Sequence, residues 1–423
     1  MIEAMTKFNL PTPSVPTQPT PPREAPTLGS GLRLSHAMEG LGRSGLRDVM
    51  ELLGRPGILS LAVGLPATEL FPHELIAEGL ARRLGGDPKN LQYTLPLRDL
   101  KARIADLMVL RGVSCRPEQI FLTSGAQQAM DLLAHLLLDP KGQVMMESSI
   151  YDGIRMVALR FEPQILTVPS DPDTGIDVDA VQSWLERGAR PAFLYVITEG
   201  HNPLGVSISL EKRLRLVELA RAYRMPILED DTYGFLRYDG GPSLPSLHAL
   251  DPEWVCYMGS FSKTIAPALR TGWTIAPDAV LQRLSVLKHA ADIDAPSIGH
   301  HAVQAFLESG HFPRHLETLR TEYGHRRDVM LAALQEHMPP GVRWNRPTGG
   351  FFVWMELPRH LDANDLLRVA VETEQVAFVP GGALCAVGGS HARNCLRLCF
   401  TSCSAETIVE GVRRLGRVIA GVI

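Results

Sequence analysis

The sequence predicts an α/β protein with a mostly parallel sheet flanked by helices, followed by a smaller α+β domain. From about residue 97, short apolar runs alternate with helical stretches, and this alternation indicates crossover units with parallel strands. From about residue 300 the pattern changes, because a long helical segment (301–334) precedes three further strand-like runs. A chain of 423 residues is also too long for one ordinary core, so a large and a small domain are expected.

The predicted strands are short apolar runs, several of them rich in β-branched residues. They are the start of IFLTSGAQQ (120–128), QVMMES (143–148), AFLYVIT (192–198), MPILED (225–230), VCYMGS (255–260), GGFFVWMEL (349–357), VAFVPG (376–381) and CLRLCF (395–400). Helical spacing is present at 41–53, 97–112 and 210–224. The predicted organisation is a poorly ordered Pro-rich leader (1–29), an N-terminal arm with a helix that packs on the small domain (30–70), a large domain (71–300) and a small C-terminal domain (301–423).

Composition excludes several classes of function. The net charge is -4 and the pI is about 6.4, so nothing in the charge favours binding to nucleic acid or to a membrane surface. No run approaches the roughly 18 uninterrupted apolar residues that a membrane span needs. The N-terminus has neither an apolar core nor a cleavage pattern of a signal peptide. We therefore expect a cytoplasmic protein with no nucleic-acid or membrane partner.

The cysteines raise the question of a metal site. The six are Cys115, Cys256, Cys385, Cys395, Cys399 and Cys403. None forms a C-x-x-C pair, although the last three recur every fourth residue. The alternative is that CLRLCF is a strand whose thiols fill the core. We favour the strand and predict no metal site.

Polar residues follow four of the predicted strands. Gly125, Ala126 and Gln127 open a helix, whose first N–H groups suit a phosphate. Asn202 follows the strand at 192–198, and Asp230 ends the strand at 225–230 with Tyr233 three residues later. The stretch SFSKTIAPALR (260–270) places a lysine between hydroxyl residues and an arginine seven positions on. Each signal alone is weak, since each is also typical of an ordinary turn.

In this order the four motifs resemble the fold-type I enzymes that use pyridoxal phosphate, specifically the class I and II aminotransferase family. The resemblance runs from about residue 41 to the C-terminus and is closest to the aminoadipate and kynurenine aminotransferase subgroup. The segment ILSLAVGLPATELFP (58–72) is similar to the substrate gate of that subgroup.

The resemblance implies a role for each matched residue. Lys263 would hold pyridoxal phosphate as a Schiff base and later move a proton from the substrate Cα. Asp230 would pair with the pyridinium nitrogen, while Asn202 and Tyr233 would hydrogen-bond the ring oxygen. The residues implied for the phosphate are Ser260, Ser262, Arg270, Gly125, Ala126 and Gln127. Tyr151 would stack on the ring, and Arg397 would bind the substrate α-carboxylate.

Two further matches concern the edges of the site. Gly64 matches a close-approach glycine beside the substrate, and Tyr93 matches a tyrosine that reaches the phosphate of the neighbouring subunit. The resemblance thus implies a homodimer with shared active sites, acting on an amino acid and a 2-oxo acid.

Two other functions are considered beside the aminotransferase. The same fold and cofactor can support oxidation by dioxygen, decarboxylation or carbon–carbon bond formation, so the fold alone does not decide the reaction. Some bacterial regulators fuse a winged-helix domain to an aminotransferase-like domain. The residues before the first matched segment are proline-rich rather than basic and helical, which counts against a DNA-binding protein.

Three departures from the family pattern affect the site. The loop after Tyr93 is shorter than usual, and Ala126 replaces a serine of the phosphate loop. The usual Gln before the Asn-Pro pair is His201, and Glu199 lies two residues earlier. A histidine beside Asn202 could act as an acid or a base; the alternative, which we favour, is a neutral histidine that faces away.

Overall fold

The computed structural model describes residues 57–93, 97–241, 243–293 and 296–423, together with Ser35 and Met38. The predicted leader, the predicted helix at 41–53 and most of the shortened loop lie outside the described residues. The chain divides into two units, Met1–Gly42 and Arg43–Ile423, and the second holds all the helices and strands named below.

Helices and strands alternate through the first two thirds of this unit. Within the described residues the α-helices are α1 (His73–Gly86), α2 (Arg98–Met108), α3 (Ala126–Leu137), α4 (Asp152–Leu159), α5 (Val178–Glu186), α6 (Leu210–Tyr223), α7 (Leu247–Leu250), α8 (Asp278–Asp292), α9 (Ser297–Glu308), α10 (Phe312–His337), α11 (Ala363–Val369) and α12 (Ala405–Ala420). The strands are β1 (Leu59–Ser60), β2 (Ile120–Thr123), β3 (Gln143–Glu147), β4 (Gln164–Val168), β5 (Ser170–Asp171), β6 (Gly175–Ile176), β7 (Leu194–Ile197), β8 (Ile227–Asp230), β9 (Val255–Ser260), β10 (Gly272–Ile275), β11 (Arg343–Trp344), β12 (Phe352–Glu356), β13 (Val376–Ala377), β14 (Val379–Pro380) and β15 (Cys395–Cys399).

The main sheet has seven strands in the order β2-β10-β9-β8-β7-β3-β4. Only β10 runs in the direction opposite to the other six strands, so the predicted mostly parallel α/β sheet is confirmed. Strands β7, β8 and β9 are buried along their whole length, as expected for central strands covered on both faces. Because they run parallel, their carboxyl ends meet at one edge of the sheet.

A second sheet lies in the C-terminal part of the chain. It is antiparallel and has the strand order β11-β12-β15-β14. Strand β15 is buried throughout, which confirms the strand interpretation of CLRLCF and makes Cys395 and Cys399 core residues. The short strand β1 pairs in parallel with β13, so the segment after residue 57 is fastened to this part of the chain. The predicted domain limits themselves stay predictions.

The long helical segment predicted at 301–334 is two helices, α9 and α10. They are separated at Gly310, whose φ of +75° is a conformation that L side chains rarely adopt. Gly310 followed by Pro313 in the first turn of α10 is a stop and start signal, so the sequence did carry local evidence for this break. Among the described residues, no helix combines the length and apolar character needed to cross a membrane.

Candidate active site

A cavity of about 300 Å³ lies where strands β7, β8 and β9 end. It collects most of the residues that the motifs predicted, although these residues are spread along the chain from Gly64 to Arg397. The predicted residues that line it are Gly64, Ala126, Gln127, Tyr151, Asn202, Asp230, Tyr233, Ser260, Ser262, Lys263, Arg270 and Arg397. Strand topology therefore brings distant motifs to one place.

Lys263 follows the last residue of β9 by three positions, at a turn built by hydroxyl groups. The Ser260 hydroxyl accepts a hydrogen bond from the Ser262 N–H at 3.1 Å and donates to the Ser262 hydroxyl at 2.9 Å. The Lys263 ammonium donates to the Gly64 carbonyl at 2.9 Å and lies 5.6 Å from the centre of the Phe351 ring. Burial lowers the pKa of Lys263 to about 8. A neutral, nucleophilic amine is thus accessible near neutral pH.

The carboxylate of Asp230 is fixed at both oxygens. Its Oδ2 accepts a hydrogen bond from the Tyr195 hydroxyl at 2.6 Å, and its Oδ1 accepts from the Thr232 hydroxyl at 2.6 Å and the Thr232 N–H at 3.1 Å. Burial raises the pKa of Asp230, and the bonds from Thr232 and Tyr195 oppose that rise. Asp230 therefore presents an oriented carboxylate to the cavity.

The anion-binding end of the cavity is formed by the β2–α3 turn and Arg270. Gly125 has a φ of +86°, and a Cβ built on it would lie 2.6 Å from Nη2 of Arg270. The Arg270 guanidinium donates to the carbonyls of Ser124 and Pro267, at 2.8 and 3.2 Å. Only glycine allows the arginine to approach the start of α3 this closely, where the first helical N–H groups also point.

Arg397 of β15 reaches across to the end of β7. Its Nη1 donates to Oδ1 of Asn202 at 2.6 Å, and its Nη2 donates to the Ala62 carbonyl at 2.9 Å. Its guanidinium carbon lies 4.2 Å from the centre of the Phe352 ring. The Nε of Arg397 is buried and has no hydrogen-bond partner among the described residues. A buried cation with a spare donor suits an incoming anion.

Two tyrosines complete the wall of the cavity. Tyr151 lies just before α4 and donates to Oε1 of Gln127 at 3.2 Å. Tyr233 packs edge-on against Phe351 and Phe352, with ring centres 5.2 and 6.0 Å apart. Burial raises the pKa of both phenols, so both are neutral hydrogen-bond donors at physiological pH.

Tyr93 and Gly125 are the two predicted site residues that do not line the cavity. Gly125 acts through its close approach to Arg270. Tyr93 is 74% exposed, and its place at a neighbouring subunit stays a prediction.

His201 also lies outside the lining, so its side chain faces away from the cavity. Its Nδ1 accepts the Leu204 N–H at 3.2 Å, which leaves the proton on Nε2. Nε2 lies 3.0 Å from Oε2 of Glu147, and both side chains are buried. The Glu199 carboxylate likewise faces away and accepts from Arg213 at 2.6 Å.

A buried charge network lies behind the cavity, next to Asp230. The Arg111 guanidinium donates to both oxygens of Asp231, at 2.6 and 3.1 Å, and lies 3.8 Å from Glu199. The Tyr257 hydroxyl also donates to Asp231, at 2.9 Å. Burial acts to lower the pKa of Arg111, but the two carboxylates outweigh it and raise that pKa. The network fixes the chain immediately after Asp230.

Sequence reasoning missed Tyr195, Thr232 and this network. Tyr195 lies in an apolar strand, and the register that pairs Ile197 with Asp230 puts Tyr195 on the same face as Asp230. Strand alternation was a usable signal, but the register between β7 and β8 is not visible in one sequence. Arg111 lies three residues after α2, at the end of the predicted helical segment 97–112, where an arginine is usually on the surface.

No group of three or more His, Cys, Asp or Glu side chains is placed to hold a metal ion in the part of the chain that the structure describes. The thiols of Cys256, Cys385 and Cys395 have raised pKa values because they are buried.

Comparison with known proteins identifies the class to which this fold and cavity belong. The family model for aminotransferase class I and II matches residues 56–415. The 2-aminoadipate transaminase of Thermus thermophilus is 42% identical over 396 residues, which are 91% of this chain and 96% of that enzyme. Aromatic-amino-acid aminotransferase 1 of Thermococcus litoralis is 36% identical over 405 residues, 94% of this chain and 96% of that enzyme.

A solved structure shows the same similarity in three dimensions. It is the α-aminoadipate aminotransferase of Thermus thermophilus in complex with N-(5'-phosphopyridoxyl)-L-leucine, with a TM-score of 0.85 and 39% identity. The match covers 92% of this chain and 97% of that one. The chain belongs to the aminotransferase class I and II family and is an aminotransferase. The predicted family is confirmed, and transfer is supported over the oxidase, decarboxylase and carbon–carbon bond-forming alternatives.

We predict that the buried network is needed for stability. Replacing Arg111 by Ala leaves the Asp231 charge without its main partner, so the free energy of unfolding should fall by about 3–5 kcal/mol. Arg82→Ala is the control, since Arg82 pairs with Glu78 at 2.8 Å on the surface. That exposed pair should contribute less than about 1 kcal/mol. Urea unfolding of both variants measures the difference, and equal losses would contradict the prediction.

Proposed function

We propose that the cavity binds pyridoxal phosphate through Lys263 and moves an amino group from an α-amino acid to a 2-oxo acid. One observation supports this most strongly. A lysine amine with a pKa near 8 shares one cavity with a doubly braced carboxylate, Asp230, and a buried arginine, Arg397. This combination offers a nucleophile, a partner for a ring nitrogen and a partner for a carboxylate.

The donors present in the cavity fit this cofactor. Arg270, the two serine hydroxyls of the Ser260–Ser262 turn and the start of α3 form an anion cradle that suits a phosphate. A carboxylate at Asp230 suits a protonated ring nitrogen. Asn202 and Tyr233 offer neutral donors for the ring oxygen, and Tyr151 offers an aromatic face.

Pyridoxal phosphate, when bound, supplies an electron sink that accepts negative charge from the substrate Cα. Lys263 can attach the cofactor covalently and, once released, hold or move a proton at its Nζ. Asp230 would orient the ring and stabilise positive charge on its nitrogen. These roles need no further ionisable group from His201 or Glu199, which face away from the cavity.

Arg397 is proposed to bind the α-carboxylate of the substrate. Its guanidinium is held by Asn202, the Ala62 carbonyl and the Phe352 ring, so little conformational entropy is lost when an anion binds. Its free Nε is a donor for a carboxylate oxygen. The relatives act on 2-aminoadipate and on aromatic amino acids, as their names state. We infer an α-amino acid donor for this chain.

A homodimer with shared active sites is part of the proposal. Tyr93 is largely exposed, as are Leu65, Leu91 and Ile298, and such apolar side chains suit burial against a second copy of the chain. Tyr93 would then reach the phosphate of the partner subunit. All six cysteines are free thiols, which fits the proposed cytoplasmic location.

The rate at which Lys263 captures the cofactor should depend on pH. Below a pKa of about 8 the Lys263 amine is protonated, and the neutral fraction grows tenfold for each pH unit. The rate at which apoprotein captures pyridoxal phosphate covalently should therefore rise with pH and level off above about 8. Stopped-flow absorbance of the apoprotein measures this rate.

Two lysine variants complete that experiment. Lys263→Ala should capture no cofactor at any pH. Lys212→Ala should match the wild type, because Lys212 bonds the Thr174 and Gly175 carbonyls away from the cavity. Covalent capture that survives in Lys263→Ala would overturn the proposed function. A rate that keeps rising to about pH 10 would show an ordinary lysine instead of one tuned by burial.

Substrate recognition should depend on the charge of Arg397. Arg397→Gln removes the charged, forked donor, so KM for an α-amino acid should rise about 10- to 100-fold. Cofactor absorbance should persist, because Asp230 and Arg270 are untouched. The corresponding amine without a carboxylate should react at similar rates in wild type and variant.

Arg393→Gln is the matched control for that substitution. Arg393 lies four residues earlier and pairs with Asp362 at 2.7 Å on the surface. Its loss should change KM by less than about twofold. Equal effects of Arg397→Gln on the amino acid and on the amine would contradict the carboxylate role.

A further inference from the structure

Tyr195 is a buried tyrosine that hydrogen-bonds Asp230 from behind the cavity wall. It lies in the middle of β7 and is completely buried, and it does not line the cavity. Its hydroxyl donates to Oδ2 of Asp230 at 2.6 Å. Burial and the nearby carboxylates raise the pKa of Tyr195 well above its usual value. The phenol therefore keeps its proton and acts as a donor at every working pH.

The direction of this hydrogen bond has a chemical consequence. A donor stabilises the ionised carboxylate and not the protonated acid, because only the ionised form has both oxygens free to accept. If Asp230 faces a ring nitrogen, the two groups share one proton. Each donor to Asp230 then favours the arrangement in which the carboxylate is ionised and the nitrogen carries the proton.

We propose that Tyr195 is a positioning residue that keeps the proton on the ring nitrogen of the bound cofactor. The inference rests on the proposed function, since it needs pyridoxal phosphate in the cavity. The Tyr195 hydroxyl bonds Asp230 and is not among the groups that hold Arg397, which are Asn202 and the Ala62 carbonyl, so its effect should be on the cofactor and not on the substrate carboxylate.

Other ionisable groups lie near the same carboxylate, and their charges have to stay constant during the test. Those that face Asp230 or Tyr195 are Asp231, Tyr151, Tyr233, Lys263 and Glu147. Asp231 is already neutralised by Arg111, and the phenols stay protonated because they are buried. Tyr195 differs from these groups because it combines a direct hydrogen bond with complete burial.

Tyr257 provides a matched control. It is also a fully buried strand tyrosine, on β9, and its hydroxyl donates to a carboxylate at 2.9 Å. That carboxylate is Asp231, which does not line the cavity. Tyr257→Phe therefore removes the same chemical group from the same depth, next to the site but not in it.

The experiment is ¹⁵N NMR of holoenzyme reconstituted with pyridoxal phosphate labelled at the ring nitrogen. In wild type and in Tyr257→Phe the nitrogen should lose its proton at the same high pH. In Tyr195→Phe the proton should leave at a pH at least one unit lower, a tenfold or greater shift in the equilibrium. The dissociation constant of the cofactor, from absorbance titration, should rise about tenfold in Tyr195→Phe only.

A second substitution covers the case in which Tyr195→Phe does not fold. Incorporation of 3-fluorotyrosine at position 195 keeps the shape and strengthens the donor, so the nitrogen should keep its proton to a higher pH than in wild type. A Tyr195→Phe spectrum that matches Tyr257→Phe, or no change with 3-fluorotyrosine, would overturn the inference while leaving the proposed function intact. A wild-type protein that binds no pyridoxal phosphate would instead overturn the proposed function.

Discussion

The parallel register of β7, β8 and β9 is the constraint on which the site depends. It pairs Ile197 with Asp230 and Asp230 with Met258, so three strands end at one edge. Asn202, Asp230 and Lys263 follow these ends, and they come from positions up to about sixty residues apart in the chain. A slip of one residue in β8 would turn Asp230 to the opposite face of the sheet.

Holding this register has an electrostatic cost, because the edge gathers buried charges. Glu229, Asp230 and Asp231 are consecutive carboxylates with almost no exposure. The structure offsets their mutual repulsion with several donors to each carboxylate, and the Thr198 hydroxyl lies near both Glu229 and Asp231. Glu229 accepts two backbone N–H bonds at the start of α7, at 2.7 and 2.9 Å. Asp231 accepts hydrogen bonds from Arg111 and Tyr257, and Asp230 accepts them from Tyr195 and Thr232. Of these three carboxylates only Asp230 lines the cavity, because the strand register places it beside Ile197, which also lines the cavity.

Much of this arrangement was predictable from the sequence. Apolar runs and helical spacing predicted the mostly parallel sheet. The order of the four strand-end motifs predicted the family and most of the residues that line the cavity. Two features were not predictable, for physical reasons. The antiparallel β10 carries no local signal of its direction. The donors behind Asp230 depend on register between strands, which a single sequence does not contain. The residues that tune the site were therefore harder to find than those that line it.

Amino-group transfer is tested most directly by following the absorbance of the bound cofactor through both halves of the reaction, under air and under nitrogen. Addition of an amino acid should convert one equivalent of cofactor per subunit to the pyridoxamine form, and a 2-oxo acid should restore it. The extent should be the same in both atmospheres, because dioxygen has no part in transfer. Oxygen consumption or carbon dioxide release without formation of the pyridoxamine form would contradict an aminotransferase.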